Sequence, residues 1–301
     1  MGNKVLAIFF TIILVFLNVS GKTGIKKKSL SSGKKIEFVI SAGISLTKPN
    51  SLVAKNSGIA DSISQYSDLN GLTYTETGNF KENLIGIPVS LTVNYKLSDS
   101  LYIKFGGEYS TMKNSSFKAY NLSWPAISEK IDYNQKNSVT NLMPFIGIEK
   151  RFSSFGIYAV VGFNLTSFNY TNILKLNDGS YNLESVEEIK TRGSGIGINL
   201  GAKYIIKLKD KFGIIIKLEY VVQTASSFSG DKILSVSDSL SGSYSTTESG
   251  NLYIYDLDPY GKGGFRWWDL HDSSPSGIDI GNVSDFSLKL SCIRFFIGFS
   301  F

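Results

Sequence analysis

Few side chains here could do acid–base or nucleophilic chemistry. The chain holds one histidine, His271, in the stretch RWWDLHDSSP, with Ser273 two residues on and Asp269 and Asp272 beside it. A histidine within reach of a serine can act as its general base, and a carboxylate can orient the ring. Pro275 and the Ser/Gly-rich surroundings predict a loop, and three common residue types close together in a loop specify little. The expectation is a solvated loop histidine and no catalytic residue. A single cysteine, Cys292, excludes an intrachain disulfide and a multi-cysteine metal centre. No cofactor and no metal are expected.

The second constellation is ionic. Lys104 and Glu108, Glu149 and Arg151, Lys203 and Lys207, Lys217 and Glu219, and Arg294 all sit at alternate positions of segments whose other positions are apolar. In a strand, alternate residues share one face. The apolar set runs Ile36, Phe38, Ile40, Ala42, Ile44, Leu46, and then Ile85, Ile87, Val89, Leu91, Val93, Tyr95, Leu97. The pattern returns at 101–109, 142–148, 155–165, 196–208, 212–222 and 293–301, making eight such segments.

The links between them alternate in length. Ser98–Ser100, Ser153–Ser154 and Lys209–Lys211 are tight hairpins, whereas the other links run over 48–81, 113–138, 171–192 and 227–284. Short turns on one side and long loops on the other describe an all-β fold, an eight-stranded antiparallel up-and-down transmembrane β-barrel with long extracellular loops and short periplasmic turns. A ligand-binding barrel in water would have the opposite sidedness, apolar inside. Phe38, Tyr95, Phe152, Phe155, Phe212, Phe299 and Phe301 gather at the short-turn level as an aromatic girdle. The ending IRFFIGFSF turns its phenylalanines to lipid and closes against the first strand, with both termini periplasmic.

An eight-strand barrel is narrow enough for side chains to fill. Lys104, Glu108, Glu149, Arg151, Lys203, Lys217, Glu219 and Arg294 are therefore expected to pair with one another inside, as a structural ion network or, alternatively, a proton or ion path.

Residues 1–21 read as a secretory signal peptide, because the uncharged run from Val5 to Val19 is shorter than the roughly 20 residues a spanning helix needs. Residues 22–35 read as a flexible basic segment and 36–301 as the barrel domain. The chain has 31 Lys plus Arg and 25 Asp plus Glu, but seven of the lysines precede residue 36 with no acid among them. The remainder thus carries 24 basic and 25 acidic side chains. No nucleic-acid partner is expected from that balance.

The loop at 227–284 is acidic and aromatic. Tyr253, Tyr255, Trp267 and Trp268 are its candidates for contact with a partner, or they pack on the barrel rim. Its carboxylates could alternatively bridge a divalent cation to lipopolysaccharide phosphates. Asn177 to Gly179 signals a type I′ turn, so that 171–192 continues its strands as a hairpin, and Ile59, Ile63 and Tyr66 have helical spacing.

The stretches IPVSLTVNYKLSDSLYIKFGGEYS, PFIGIEKRF, INLGAKYIIKL and FSLKLSCIRFFIGFSF resemble the eight-stranded outer-membrane β-barrel family of the PorT-like type. The resemblance spans most of 36–301 and rests on generic barrel patterning. It implies the bacterial outer membrane and a last strand read by the outer-membrane assembly machinery. It does not imply one activity. The expected role is structural or one of surface interaction carried by the loops. The alternatives are a secretion or assembly component or a small transport pore, and, less favoured, an enzyme acting on lipid A. The expected partners are outer-membrane lipid and lipopolysaccharide, the assembly machinery, and a surface or secretion-system protein, with the barrel itself a monomer.

Overall fold

The computed structural model describes residues 36–123, 128–209 and 212–301. The signal-peptide and basic-segment expectations (1–21 and 22–35), and Asp210 and Lys211 of the third short turn, lie outside the described residues. The strands are β1 (Ile36–Thr47), β2 (Thr73–Asn79), β3 (Leu84–Lys96), β4 (Leu101–Ser123), β5 (Ser128–Phe152), β6 (Phe155–Asn177), β7 (Asn182–Lys209), β8 (Phe212–Asp238), β9 (Gly242–Leu257), β10 (Phe265–His271), β11 (Ile280–Asp285) and β12 (Leu288–Ser300). One helix, α1 (Asn50–Asn70), follows β1.

Eight of these strands close into a ring in the order β1, β3, β4, β5, β6, β7, β8, β12 and back to β1, with every neighbouring pair antiparallel. They are the eight segments the alternation marks. The ring shuts where Phe301 and Phe38 exchange both backbone hydrogen bonds, each 3.0 Å. The outward positions are apolar and open, with Ile85 67%, Ile196 60% and Ile293 64% exposed. At the short-turn end Phe212 stacks on Phe299 with ring centroids 5.5 Å apart.

Of the long links, 113–138 and 227–284 depart from the loops expected there, whereas 171–192 continues its strands as the expected hairpin. The segments 113–138 and 171–192 are mostly strand, since β4, β5, β6, β7 and β8 run to 23, 25, 23, 28 and 27 residues. A membrane-spanning strand needs only about 9–11, and β1, β3 and β12 stop at 12, 13 and 13. The reason lies in which face is apolar. Along β6 the outward residues Val161, Phe163 and Leu165 are apolar and exposed, and then the apolar residues move to the inward parity at Phe168 and Tyr170. The same reversal carries β4 from Tyr109 to Met112 and Tyr120, β5 from Leu142 to Val139 and Ile131, and β7 from Ile196 to Ile189. Strand pairing keeps one register through the reversal in β4, β5 and β6. A search for outward apolar residues alone stops there.

Beyond the ring, β4 to β8 therefore rise as a wall, extended by β2 on β4 and β9 on β8. β9 then turns over the opening, pairing with β10 on one edge and β11 on the other. The first long link becomes α1, longer than the segment its spacing marks. Its buried face is Leu52, Lys55, Ile59, Ile63 and Ser67, repeating every three or four residues. Gly71, at φ +62°, ends it in the left-handed conformation that costs glycine nothing, and the Leu72 N–H bonds back to Ser67 O at 2.9 Å.

The 178–181 turn is not the expected type I′, which needs positive φ at both central residues. Only Gly179 has it, at +89°. Asp178 holds the loop instead, its Oδ1 accepting from the backbone N–H of Ser180 (2.9 Å) and of Tyr181 (2.6 Å).

The two-residue turn Ser153–Ser154 places Ser153 at φ +60°, a position where glycine is preferred in a II′ hairpin. Ser153→Gly is expected to stabilise the protein by about 0.5–1 kcal/mol, read as a shift in the urea midpoint of unfolding from lipid vesicles. A lower midpoint would show that the serine side chain contributes more than the backbone strain costs.

Candidate functional site: the filled lumen

Inward alternation brings the eight ionic residues named from sequence into one layer at the short-turn half of the ring. Glu149 on β5 is its centre: Lys104 Nζ donates to Oε2 at 2.8 Å, Lys203 Nζ lies 2.8 Å from Oε1, and Arg151 also binds it. Arg151 reaches on to Glu37 of β1, which accepts from Asn94 Nδ2 at 2.7 Å. A second group joins Arg294 to Glu108, and Lys217 to Glu219 at 3.5 Å, with the Tyr158 hydroxyl donating to Glu219. Glu149 and Arg294 are fully buried.

The aromatic faces of the lumen take up part of the positive charge. Lys104 sits 4.2 Å from the Tyr158 ring centroid, Lys217 4.3 Å from Phe296, and the Arg151 guanidinium 3.8 Å from Tyr102. Gly201, opposite Tyr158 across the β6–β7 pair, is where a Cβ would strike that ring, so its missing side chain leaves the tyrosine its place beside Glu219. Between the two groups a cavity of about 10 Å³, lined by Lys104, Glu108, Tyr158, Asn199, Lys217 and Glu219, is the size of one water molecule.

Glu37, Asn94 and Tyr158 join this layer without having been singled out. The signal was present, because Ile36 and Phe38 face outward and parity then turns Glu37 in. Lys207 has the inward parity but stands at the register shift between Lys207 and Lys209 and is exposed.

At the far half the lumen is filled mainly by apolar side chains. Phe168, Phe228 and Phe286 pack with Trp268 of β10, with Phe168 to Phe286 stacked at 5.6 Å and Tyr170 set edge-on to Trp268 at 4.9 Å. Leu52 brings α1 into this cluster, and Trp268 Nε1 donates to Ser51 O at 3.0 Å. Lys55 is the helix's deepest pin. It is 2% exposed, its ammonium lies 4.2–4.8 Å from the ring centroids of Trp268, Tyr170 and Trp267, and it is 3.4 Å from Glu187 Oε2. Ile59 and Ile63 pack against Tyr120, Leu122 and Ile131.

Of the four loop aromatics, Trp268 and Tyr255 are buried and Tyr253 and Trp267 half-buried, so most of that surface is spent on the interior. The strap that carries them is tied by Asp256, which accepts from Arg266 Nη1 (2.8 Å) and Asn282 Nδ2 (2.6 Å) and is held below the usual carboxylate range by those bonds. His271 ends strand β10 rather than standing in a loop, because Leu252, Trp268 and Leu270 draw β9 and β10 together over the lumen. Its Nε2 is 3.4 Å from the Tyr255 hydroxyl, and Ser273 bonds to Asp272 at 3.2 Å. Among the described residues no hydrogen bond joins His271 to Ser273, and no group of three or more His, Cys, Asp or Glu is placed to hold a metal.

No protein-family model matches the chain, and no curated protein matches it. Among solved structures it is similar to the outer membrane protein OprG from Pseudomonas aeruginosa, at 14% identity over 91% of this chain and 99% of that one, with a TM-score of 0.29. It is also similar to a Pseudomonas aeruginosa FadL homologue, at 9% identity over 88% of this chain and 89% of that one, with a TM-score of 0.22.

A buried charge left without its partner is far more costly than the pair itself is worth. Arg294→Met is expected to destabilise the protein by about 3–5 kcal/mol in chemical unfolding, and adding Glu108→Leu should recover most of that loss. Additive losses in the double variant would mean that the two side chains are not coupled.

Proposed function

We propose that this chain is an outer-membrane β-barrel with a closed lumen, acting by contact at the surface it raises above the membrane. The apolar outward belt supports the membrane reading, since a patch of that extent exposed to water is an aggregation hazard. Ring closure supports it too, because hydrocarbon offers backbone groups no partner and only helices and closed barrels span it. Among the described residues no helix is long and apolar enough to cross. With short turns and both ends of the ring on one side, that side is assigned to the periplasm and the wall to the exterior.

The filled lumen carries the functional reading. A pore needs a continuous wet path, and this lumen has an ion-paired layer with room for about one water, then an apolar plug built from α1 and β10. What remains open is the wall of β2, β4–β8 and β9 with its polar outer face. The partner set is lipid and lipopolysaccharide at the belt, the assembly machinery at β12 and a surface or secretion-system protein on the wall. The barrel acts as a monomer and not as an enzyme.

The protein reconstituted in planar bilayers is expected to show no unitary conductance, and steady channel openings would overturn the closed-lumen reading. Val161→Arg, on the outward belt, is expected to cost about 2–4 kcal/mol of folding into lipid, whereas Asn169→Arg, outward on the same strand but past the belt, should stay within about 0.5 kcal/mol. Equal tolerance of both would remove the membrane assignment.

A further inference from the structure

Charge on the outer face of the wall is not spread evenly. Two to three outward positions beyond the end of the apolar belt on each strand stand Lys113 on β4, Lys136 on β5, and Arg192 and Lys190 on β7. Register places them together. Lys113 pairs laterally with Ser138, and Lys136 with Ser115, so the two lysines are diagonal neighbours across β4 and β5, within about 7–8 Å of each other. Ser138 continues through Asn169 to Lys190, and Thr140 through Ser167 to Arg192, which puts the two β7 cations one strand beyond β6.

The surface between them has no bulk and no acid. β6 contributes Ser167, Asn169 and Thr171 to the outward face there, all small hydrogen-bonding side chains. Lys190 is partly spent, with Glu188 at 2.9 Å and Asp231 beside it in register. Lys113, Lys136 and Arg192 are exposed, and among the described residues no carboxylate pairs with them. The outer face nearer the hairpin tips behaves differently, since Lys130 and Lys175 each have a carboxylate at 2.8 Å.

We propose that Lys113, Lys136 and Arg192, with the hydroxyl and amide groups of β6 between them, form a binding site for the phosphates of a glycolipid headgroup in the outer leaflet. This rests on the outer-membrane reading above. Height argues for a lipid source: at 3.3 Å per residue and a strand tilt of about 40°, these residues lie roughly 10–15 Å above the last apolar position. Long basic side chains bend back part of that distance toward the membrane surface while their stems cover the intervening threonines and serines. Arginine and lysine both take phosphate as charge-assisted hydrogen bonds. Two cations on one side of β6 and Arg192 on the other suit a headgroup bearing more than one phosphate.

The test is retention of lipopolysaccharide by the full chain in phosphatidylcholine nanodiscs doped with it, counted by native mass spectrometry after exchange into detergent. The protein is expected to keep lipopolysaccharide and to lose it as salt is raised. Lys113→Gln, Lys136→Gln and Arg192→Gln together should lower retention about tenfold or more, while Lys130→Gln with Lys175→Gln, near the hairpin tips, should leave it unchanged. Lipopolysaccharide stripped of phosphate should be retained no better by the protein than by the triple variant. Retention by the triple variant equal to that of the protein, or indifferent to phosphate, overturns the site while leaving the barrel reading intact. A protein that does not enter the nanodiscs at all removes both.

Discussion

A strand facing hydrocarbon can leave none of its backbone groups unpaired, and the rest of this structure depends on that constraint. It requires the first and last strands to meet, and they do so through the paired backbone bonds of Phe38 and Phe301. Closure with eight strands then sets the lumen's width. A lumen that narrow must be filled by its own side chains, so the inward positions hold mutually neutralising charges in one half and mainly large apolar groups in the other, with buried polar side chains such as Asn141, Gln223 and Thr166 among them.

The boundary between the halves is also where the solvent outside changes. Below it the exterior is apolar and the interior polar, and above it the order reverses, with Phe168, Tyr170 and Ile189 fully or almost fully buried. The reversal needs no change in backbone along most of the wall, because strand pairing is indifferent to which face is apolar. A single β-sheet thereby serves as a membrane barrel and as the shell of a water-exposed domain. The inserted α1 and β10 are the core of that upper domain, and they complete it on the side where β1, β3 and β12 stop short.

That arrangement separates stability from display. Trp268, Tyr255 and Lys55, which by type could all serve recognition, are consumed in holding the plug. The polar outer face of the wall is left for contact, and its cations differ among themselves. Lys130, Lys175 and Lys190 are tied to a carboxylate, whereas Lys113, Lys136 and Arg192, which have none among the described residues, stand together in the band next to the belt.

The sequence by itself determined the eight membrane-level strands, their inward and outward faces, the tight turns at one end and the closure by the terminal phenylalanines. All of these follow from an alternation of period two, which is local and survives without knowledge of partners. Parity likewise placed Lys104, Glu149 and Arg294 inside, and it held the information for Glu37 as well. Which carboxylate each cation meets was decided only by the ring, since pairs such as Arg294 with Glu108 join strands far apart in the chain. The turn signal at 177–179 marked 171–192 as a hairpin, but the tertiary structure alone decided that 113–138 is strand, because its apolar residues face a core assembled from α1 and β10, and a segment cannot reveal that its inner face will be covered by another. For the same reason Trp268, a candidate for partner contact in the sequence, is buried in the fold beside Lys55: each finds its environment only when the other's element arrives.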